Sequence, residues 1–509
     1  MAKAMGFGEK MVVAHYFGTT ATADTYFAIT SILLSAVFLV RELIHPTLLP
    51  TLHQAMKRSP DVFDDLFARM FRWVLLLVLL AAGAGAMIMP YTMPLFVPGF
   101  GNEQQAQVAF VMRWLLPAGV LLALTDVTYT TLNAKGKLVA ASLAEAAFKV
   151  VVLVGVFLLI PLSGLNAIPM AMLAGAAVCL CIHLAVLRQP IVRAKSTPDG
   201  GKLLGRMAWL MAPIVIGVVF SHISDLVDNH LASHLPEGEL SCLAYAKKIA
   251  YSILLIGPVA LATVLYARAS RLASLSRHDE LAQLVGKGLK LLLFLGVPIA
   301  CLMIELRMPI VQVLFERGSF DAASTAGVAA AMVIYGLGLA ALSVEGLTVY
   351  SFFALTDTRT PVAAGVICVI LNIVLAVWLI GPMGYLGIAT ALVIAKSVKI
   401  IALLILLNRK LGGRLGGDLP GHHWLGFAAR LTISAAAMWL AVWFLREQLS
   451  SVAVRPIFLL VACSIVAATV YVGVSHLLGL KEPRRLIEVL PLKRLFNRSE
   501  NAGPGGASK

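Results

Sequence analysis

The residues of this chain with chemistry to do are ionisable side chains set inside long apolar stretches. They are Glu9, Lys10, Arg41, Glu42, Asp126, Glu145, Lys149, His222, Asp225, Asp228, His230, Lys247, Lys248, Glu345, Lys396 and Lys399. On insertion scales a charge at the centre of a membrane helix costs about 2.5–3.5 kcal/mol unless it is paired or faces water. Glu145 and Lys149 are spaced i, i+4, which puts them on one helical face as an expected ion pair. Asp225 and Asp228 share a face as well, and two carboxylates side by side favour a nearby cation or proton. Lys10, Arg41, Lys149, Lys247 and Lys248 would together make a cationic floor suited to an anionic substrate such as a pyrophosphate. Taken singly, each charge also fits an interhelical pair or a side chain reaching for the headgroups. Spread over both halves of the chain, the set reads better as a polar cavity. Its chemistry is recognition by charge, because no catalytic signature accompanies it. There is no Walker-type glycine loop, so the chain does not drive itself with ATP. The histidines lack metal-ligand spacing. Cys179, Cys181, Cys242, Cys301, Cys368 and Cys463 read as small apolar side chains.

The elements that carry these residues are membrane helices. The 509 residues are 60% hydrophobic and only 13% charged, with a mean hydropathy of +0.89. A helix needs roughly 20 apolar residues to cross the hydrocarbon core. Fourteen such stretches are expected, at about 1–18, 26–52, 70–93, 106–132, 138–161, 165–188, 208–234, 241–268, 284–306, 325–353, 361–381, 385–408, 424–445 and 456–478. The first is weak and abuts Met1, which reads as a shortened helix or a misplaced start, and no cleavable signal peptide is visible. The net charge of +15 is not a nucleic-acid footprint. Lys and Arg gather in alternate loops, as at Lys135 and Lys137, Arg268 and Arg271, and Arg409 and Lys410, and again in the tail. That is the positive-inside pattern, with both termini in the cytoplasm and basic loops near anionic lipid.

A weak internal repeat aligns residues 129–161 with 350–382 at an offset of roughly 220. Six spans separate the copies, so they insert in the same orientation, an arrangement that transporters build with the substrate site between the halves. The expected fold is an all-α polytopic membrane protein. It has an N-lobe at 1–190, a C-lobe at 205–410, each of six helices and related by pseudo-symmetry, and two further helices at 420–480. A basic tail at 481–509 is expected to lie on the surface or be disordered.

Several stretches resemble one family. Leu314-Phe-Glu-Arg-Gly318 followed by Phe320, Asp357-Thr-Arg-Thr-Pro361, and Leu231-Ala-Ser-His-Leu-Pro-Glu-Gly238 before Tyr245 are the most specific. Ala14-His-Tyr-Phe-Gly18, Pro98-Gly-Phe100 and Leu132-Asn-Ala134 join them in order. Across nearly the whole chain the sequence resembles the MurJ (MviN) lipid II flippases of the MOP exporter superfamily. The resemblance implies fourteen helices in two lobes, a central cationic cavity, and a groove on the last two helices for a polyprenyl tail. It further implies alternating access in the bacterial inner membrane, moving a polyprenyl-pyrophosphate-linked saccharide between leaflets, with cell-envelope synthesis machinery as a partner.

The chain also departs from that family. Gly8-Glu9-Lys10 reverses the charge order usual in the first helix, and only Arg41 and Glu42 remain of the second helix's charges. Glu145 and Lys149 replace a Pro and an Asn. Lys247-Lys248 replaces an acidic-Arg pair, so Lys248 stands where a substrate-binding Arg is implied. Some members hold sodium; Asp228, Asn372 and Thr390 match plausible ligands, but Ala376 stands where a carboxylate is implied. The membrane potential is the alternative drive. Lipid II is the leading cargo, an exopolysaccharide or O-antigen unit the close alternative. A cation-coupled exporter of small molecules and a non-transporting scaffold stand behind both.

Overall fold

The computed structural model describes residues 2–188, 196–413, 422–450 and 455–489. The expected tail lies outside the described residues from 490 onward, as do Arg193, Lys195 and Arg414. The described residues form helices and no strand. They are α1 (Ala2–Phe17), α2 (Ala21–Arg58), α3 (Pro60–Phe96), α4 (Asn102–Ala134), α5 (Leu138–Ser163) and α6 (Ala167–Leu187) in the first half. The second half holds α7 (Pro198–Ala232), α8 (Glu239–Ile256), α9 (Pro258–Ser274), α10 (His278–Glu305), α11 (Arg307–Phe315), α12 (Ala322–Ala354), α13 (Arg359–Met383) and α14 (Tyr385–Lys410). Then come α15 (His422–Ser450), α16 (Pro456–Leu477) and a short α17 (Glu482–Val489).

Every expected stretch falls on helix, with one break: Gly257-Pro258 divides 241–268 into α8 and α9, because proline cannot supply the N–H a continuing helix needs. Among the described residues, ten helical runs are long and apolar enough to cross a membrane. One of them, 138–187, holds both α5 and α6. The chain is a multi-pass membrane protein. Its outer faces say the same: Leu76, Leu77, Leu79, Leu80, Met87 and Ile88 of α3 are all exposed, a patch too apolar for water. Exposed Trp73 and Tyr91 bracket that patch, about 27 Å apart along the helix axis, the separation of two aromatic belts.

The chain packs into two compact units that cut across α8, α12, α13 and α14. The first comprises residues 1–248, 314–331 and 365–392. Here α2 lies against α3, α4 and α7, α4 against α6, and α1 against α5. Its core joins Leu48 and Leu52 of α2, Phe63, Phe67 and Phe71 of α3, Leu124 and Val127 of α4, Leu180 of α6 and Leu203 of α7. Glycines let α5 and α6 approach closely: a Cβ on Gly155 would meet that of Ala171 at 2.8 Å, and Gly175 sits against Phe148 and Val152. In hydrocarbon such close packing supplies the attraction that burial from water supplies elsewhere. Ser59 caps α3 by accepting the Val62 N–H (3.2 Å), and Thr197 caps α7 by accepting that of Gly200 (3.1 Å). Each is followed by proline at the first helical position.

The second unit comprises residues 249–313, 332–364 and 393–509. Its centre is α10, on which α15 and α16 are anchored. The buried Glu305 carboxylate accepts from Trp439 Nε1 (2.9 Å) and is ion-paired with Arg446 Nη1 (2.9 Å), which donates to the Glu305 backbone carbonyl (3.2 Å), and the Tyr471 hydroxyl donates to the Phe294 carbonyl at 2.7 Å. Leu459, Cys463, Ala467 and Tyr471 recur every four residues on the buried face of α16.

Two helix-ending turns share a hydrogen-bond pattern that also closes α9 at Arg277, α14 at Gly413 and α16 at Leu480. Lys135, Gly136 and Lys137 donate back to Thr131, Asn133 and Leu132; Leu355, Thr356 and Asp357 donate back to Ser351, Phe353 and Phe352. The middle residue is left-handed in both turns, φ +72° at Gly136 and +57° at Thr356. Asp357 then accepts the Thr360 N–H (3.0 Å), the Thr360 hydroxyl (2.7 Å) and Lys410 Nζ (2.6 Å). So the Asp-Thr-Arg-Thr-Pro stretch starts α13 and ties it to the end of α14. These bonds, that from Lys410 foremost, hold the Asp357 carboxyl well below the usual carboxylate range. A depressed folded-state value means the stabilisation is complete above about pH 4 and is lost as pH falls toward the folded value. Asp357→Asn keeps a capping oxygen but loses the charge that meets the part-exposed Lys410, and should therefore lower stability at pH 7 by about 0.5–1 kcal/mol. In unfolding scans from pH 7 to pH 3, the gap between wild type and variant should narrow in acid.

Candidate functional site

Within the first unit, α1, α2, α4, α5 and α6 surround a cavity of about 270 Å³. Three carboxylates and three Lys or Arg cations line it, along with Tyr129, Cys179 and His183: Glu9 and Lys10 from α1, Arg41 from α2, Asp126 from α4, and Glu145 and Lys149 from α5. The α1 pair faces inward because Gly8 presses on Leu153 of α5, leaving Glu9 and Lys10 toward α2. There the fully buried Tyr26 donates its hydroxyl to Glu9 Oε1 at 2.6 Å, and Lys10 Nζ donates to both Tyr26 and Glu9. Arg41 lies 3.7 Å from Asp126 and 3.7 Å from Glu145, with its guanidinium over the Tyr129 ring. Thr128 meets His183 Nδ1 at 2.9 Å on the same wall.

The floor is therefore mixed rather than cationic. Three carboxylates face three cations across the cavity, and Glu145 pairs with Arg41 instead of the expected Lys149. Lys149 rests over the Phe148 ring. Lys248 is within electrostatic range of Lys10, Glu9 and Lys149. Among the described residues, neither Lys149 nor Lys248 has a carboxylate at ion-pair distance, and this singles them out for an external anion. Lys247 is bonded to Asp225 (2.8 Å), and Glu42 is half exposed with His222 Nε2 at 3.7 Å. Asp228 and Asn372 meet at 3.2 Å, Asn372 also donates to Ser224 (3.0 Å), and the buried Asn372 Oδ1 is left without a donor. The Thr390 hydroxyl donates to Leu386 in its own helix (2.7 Å), and Ala376 is fully buried.

Sequence reasoning ranked Asp126 and Glu145 as intramembrane charges but left them out of the site. Their signal was Arg41, a cation needing compensation. Tyr26 carries no charge and so gave no such signal. Tyr26 and Tyr245 are both fully buried.

The quoted motifs converge on another part of the same unit, the α1–α2 corner. Asp24 accepts the N–H groups of Gly238 and Ser241, each at 2.7 Å, at the start of α8. The Ser319 N–H donates to the His15 carbonyl (2.8 Å), and Thr19 and Ser324 hydroxyls meet at 2.7 Å. Gly318 is left-handed (φ +64°), and a Cβ there would collide with the His15 carbonyl oxygen. Tyr245 gathers Phe27, Phe315 and Phe320 at ring separations of 4.7, 4.9 and 5.6 Å. Asp321, accepting the Ser324 N–H and hydroxyl at the start of α12, is held below the usual carboxylate range by those bonds.

The family model described as "Lipid II flippase MurJ" matches residues 13–463. The chain belongs to the MurJ lipid II flippase family. Relatives include a probable lipid II flippase MurJ of Rhizobium meliloti, 31% identical over 84% of this chain and 80% of its own length. The lipid II flippase MurJ of Burkholderia cenocepacia is 23% identical over 94% and 95%. Among solved structures, a MurJ in an inward closed conformation superposes with a TM-score of 0.79 at 20% identity, covering 96% of this chain and 98% of that one. An inward-facing MATE family multidrug resistance transporter of the MOP superfamily gives 0.71 at 13% identity, covering 82% and 96%. These two likenesses are of fold. This MurJ family member is thus a transporter whose membrane-embedded charges form a paired set and an unpaired set.

That division is measurable. Arg41→Met would leave the largely buried Asp126 without its cation and should cost about 1–2 kcal/mol, less than a fully buried pair because Arg41 and Glu145 are more than a third exposed. Lys149→Met and Lys248→Met should each change stability by less than about 1 kcal/mol, because no carboxylate loses its partner. Unfolding temperatures in detergent would check both.

Proposed function

We propose that the chain moves lipid II, the polyprenyl-pyrophosphate-linked peptidoglycan precursor, from the cytoplasmic to the outer leaflet of the bacterial inner membrane by alternating access. The observation that carries the reading is a pair of lysines with no carboxylate at ion-pair distance among the described residues: Lys149 in the wall of the membrane-embedded cavity, and Lys248 within electrostatic range of Lys149 and Lys10. A pyrophosphate brings the charge they lack, and each ammonium offers three donors to its oxygens. Glu9, Tyr26, Asp126 and Glu145 hold Lys10 and Arg41 in position while the site is empty of anion, so those two cations stay compensated in low dielectric. Lys247 and Glu42 stand at the margin and shape the approach. Family membership favours lipid II over an exopolysaccharide unit and over a small-molecule exporter.

In this reading the repeats form two six-helix lobes, 1–190 and 205–410, and both termini lie in the cytoplasm as the basic loops require. The α1–α2 corner is then at the outer surface, and its contacts with the segments around Gly238 and Gly318 close that side. The polyprenyl tail runs along α15 and α16. Cargo carries net negative charge, and moving it outward across an inside-negative membrane gains about 2.3 kcal/mol per unit charge per 100 mV. Sodium is the second drive to consider. Asp228 and the orphan Asn372 Oδ1 supply two oxygens that fit a cation, while Thr390 is bonded to its own helix.

Complementation of a bacterium depleted of its own lipid II flippase tests the function, with growth and lipid II in the outer leaflet as readouts. Wild type should rescue. Lys248→Ala, expressed and inserted to the same level, should lower transport about 10–100-fold, the loss expected for charge-assisted bonds to a ligand. Rescue by that variant at wild-type rate would remove Lys248 from the site. Alternating access has its own test. Thr19→Cys with Ser324→Cys should form a disulfide that halts transport, and reduction should restore it. Transport by the oxidised, cross-linked protein would show that the corner never opens.

A further inference from the structure

A second cavity, of about 340 Å³, lies in the second unit where α10, α15 and α17 meet the end of α16. Its lining carries Lys290, Arg430, Lys481 and Arg485 against one carboxylate, Glu482. Glu482 is buried and already takes Arg485 at 3.2 Å. Lys290 is held over the Trp424 and Phe427 rings, 4.8 and 5.6 Å from their centroids. Among the described residues, Lys290, Arg430 and Lys481 have no carboxylate at ion-pair distance. Three uncompensated cations therefore converge on one concave site, distinct from the cavity of the first unit.

Its position says what kind of anion fits. Helix α15 begins at His422 with Trp424 in its first turn, and α16 ends at Leu477, three residues before the Leu480 that lines the cavity. In α10, Lys290 is followed directly by the apolar run Leu291-Leu-Leu-Phe-Leu-Gly-Val297. All three helices thus deliver their cations to the level where hydrocarbon gives way to headgroups, with a tryptophan marking the boundary. Leu425 and Leu477 beside the cavity are 70% and 85% exposed, an apolar flank next to a cationic bowl. A free phosphate would use only the bowl, whereas an amphiphile uses both.

We propose that this cavity binds the phosphate headgroup of an anionic phospholipid, whose acyl chains lie along the flank at Leu425 and Leu477. Each basic group near such a surface contributes about fivefold in affinity. The inference does not depend on the cargo: it requires only that these helices cross a membrane.

The test uses the purified full chain in a neutral detergent, titrated with phosphatidylglycerol, phosphatidylcholine, inorganic phosphate or inorganic pyrophosphate, with the unfolding temperature as readout. A lipid that binds the folded state raises that temperature in proportion to its occupancy. Phosphatidylglycerol should raise it and phosphatidylcholine should not. Arg430→Gln with Lys481→Gln should shift the phosphatidylglycerol midpoint about 25-fold higher, two groups at about fivefold each, and leave the lipid-free unfolding temperature unchanged. Should that double variant prove unstable, Arg430→Lys with Lys481→Arg keeps the charge and should keep the shift. Equal shifts with both lipids, or an unchanged midpoint in the Gln variant, would overturn the proposal. So would the same stabilisation by inorganic phosphate or pyrophosphate alone, which would make this a soluble-anion site.

Discussion

Charge inside hydrocarbon has to be compensated, and the whole of the first unit is organised around that requirement. Glu9, Lys10 and Tyr26 form one closed set; Arg41, Asp126 and Glu145 form another. Each set draws on two or three helices, so the helices cannot slide without breaking bonds that nothing in a lipid environment would replace. Compensation is also what makes Lys149 and Lys248 conspicuous. In a site where carboxylates are available and are spent elsewhere, two lysines without one are arranged for a charge that arrives with the ligand.

The α1–α2 corner obeys a different constraint, that of backbone proximity. Gly18, Gly238 and Gly318 each sit where a side chain would strike the carbonyl of another segment, and their left-handed conformation suits glycine in any case. Asp24 adds a carboxylate to the N-terminus of α8, where the exposed N–H groups and the helix dipole favour negative charge. A junction made of backbone contacts and one cap, rather than interdigitated large side chains, can close tightly and still separate without leaving cavities. Only the ring cluster around Tyr245 gives it bulk.

The second unit distributes its charges by the same rule. Glu345 is shared by Lys396 and Lys399 within the membrane, and Glu305 by Trp439 and Arg446. At the boundary the pattern changes: Lys290, Arg430 and Lys481 are left open, where a headgroup is always within reach. Among the described residues, cations without a carboxylate at ion-pair distance thus occur both beside the cavity of the first unit and in the cavity of the second.

Much of this was legible beforehand. Apolar run length fixes where helices lie, since a helix is one of the few ways to satisfy backbone hydrogen bonds in lipid; the division of the expected 241–268 span at Gly257-Pro258 was not anticipated. The family was readable from stretches that proved to be caps and close approaches: Asp357 starts α13, Asp321 starts α12, and Gly318 lets two backbones touch. What sequence could not decide was partnership. The i, i+4 spacing of Glu145 and Lys149 predicted a pair, but Arg41 on another helix took the carboxylate, and a supposed cationic floor became a mixed one. Local spacing sets which side chains share a face; which charge neutralises which depends on helices brought together from distant parts of the chain, and only the tertiary structure decides that.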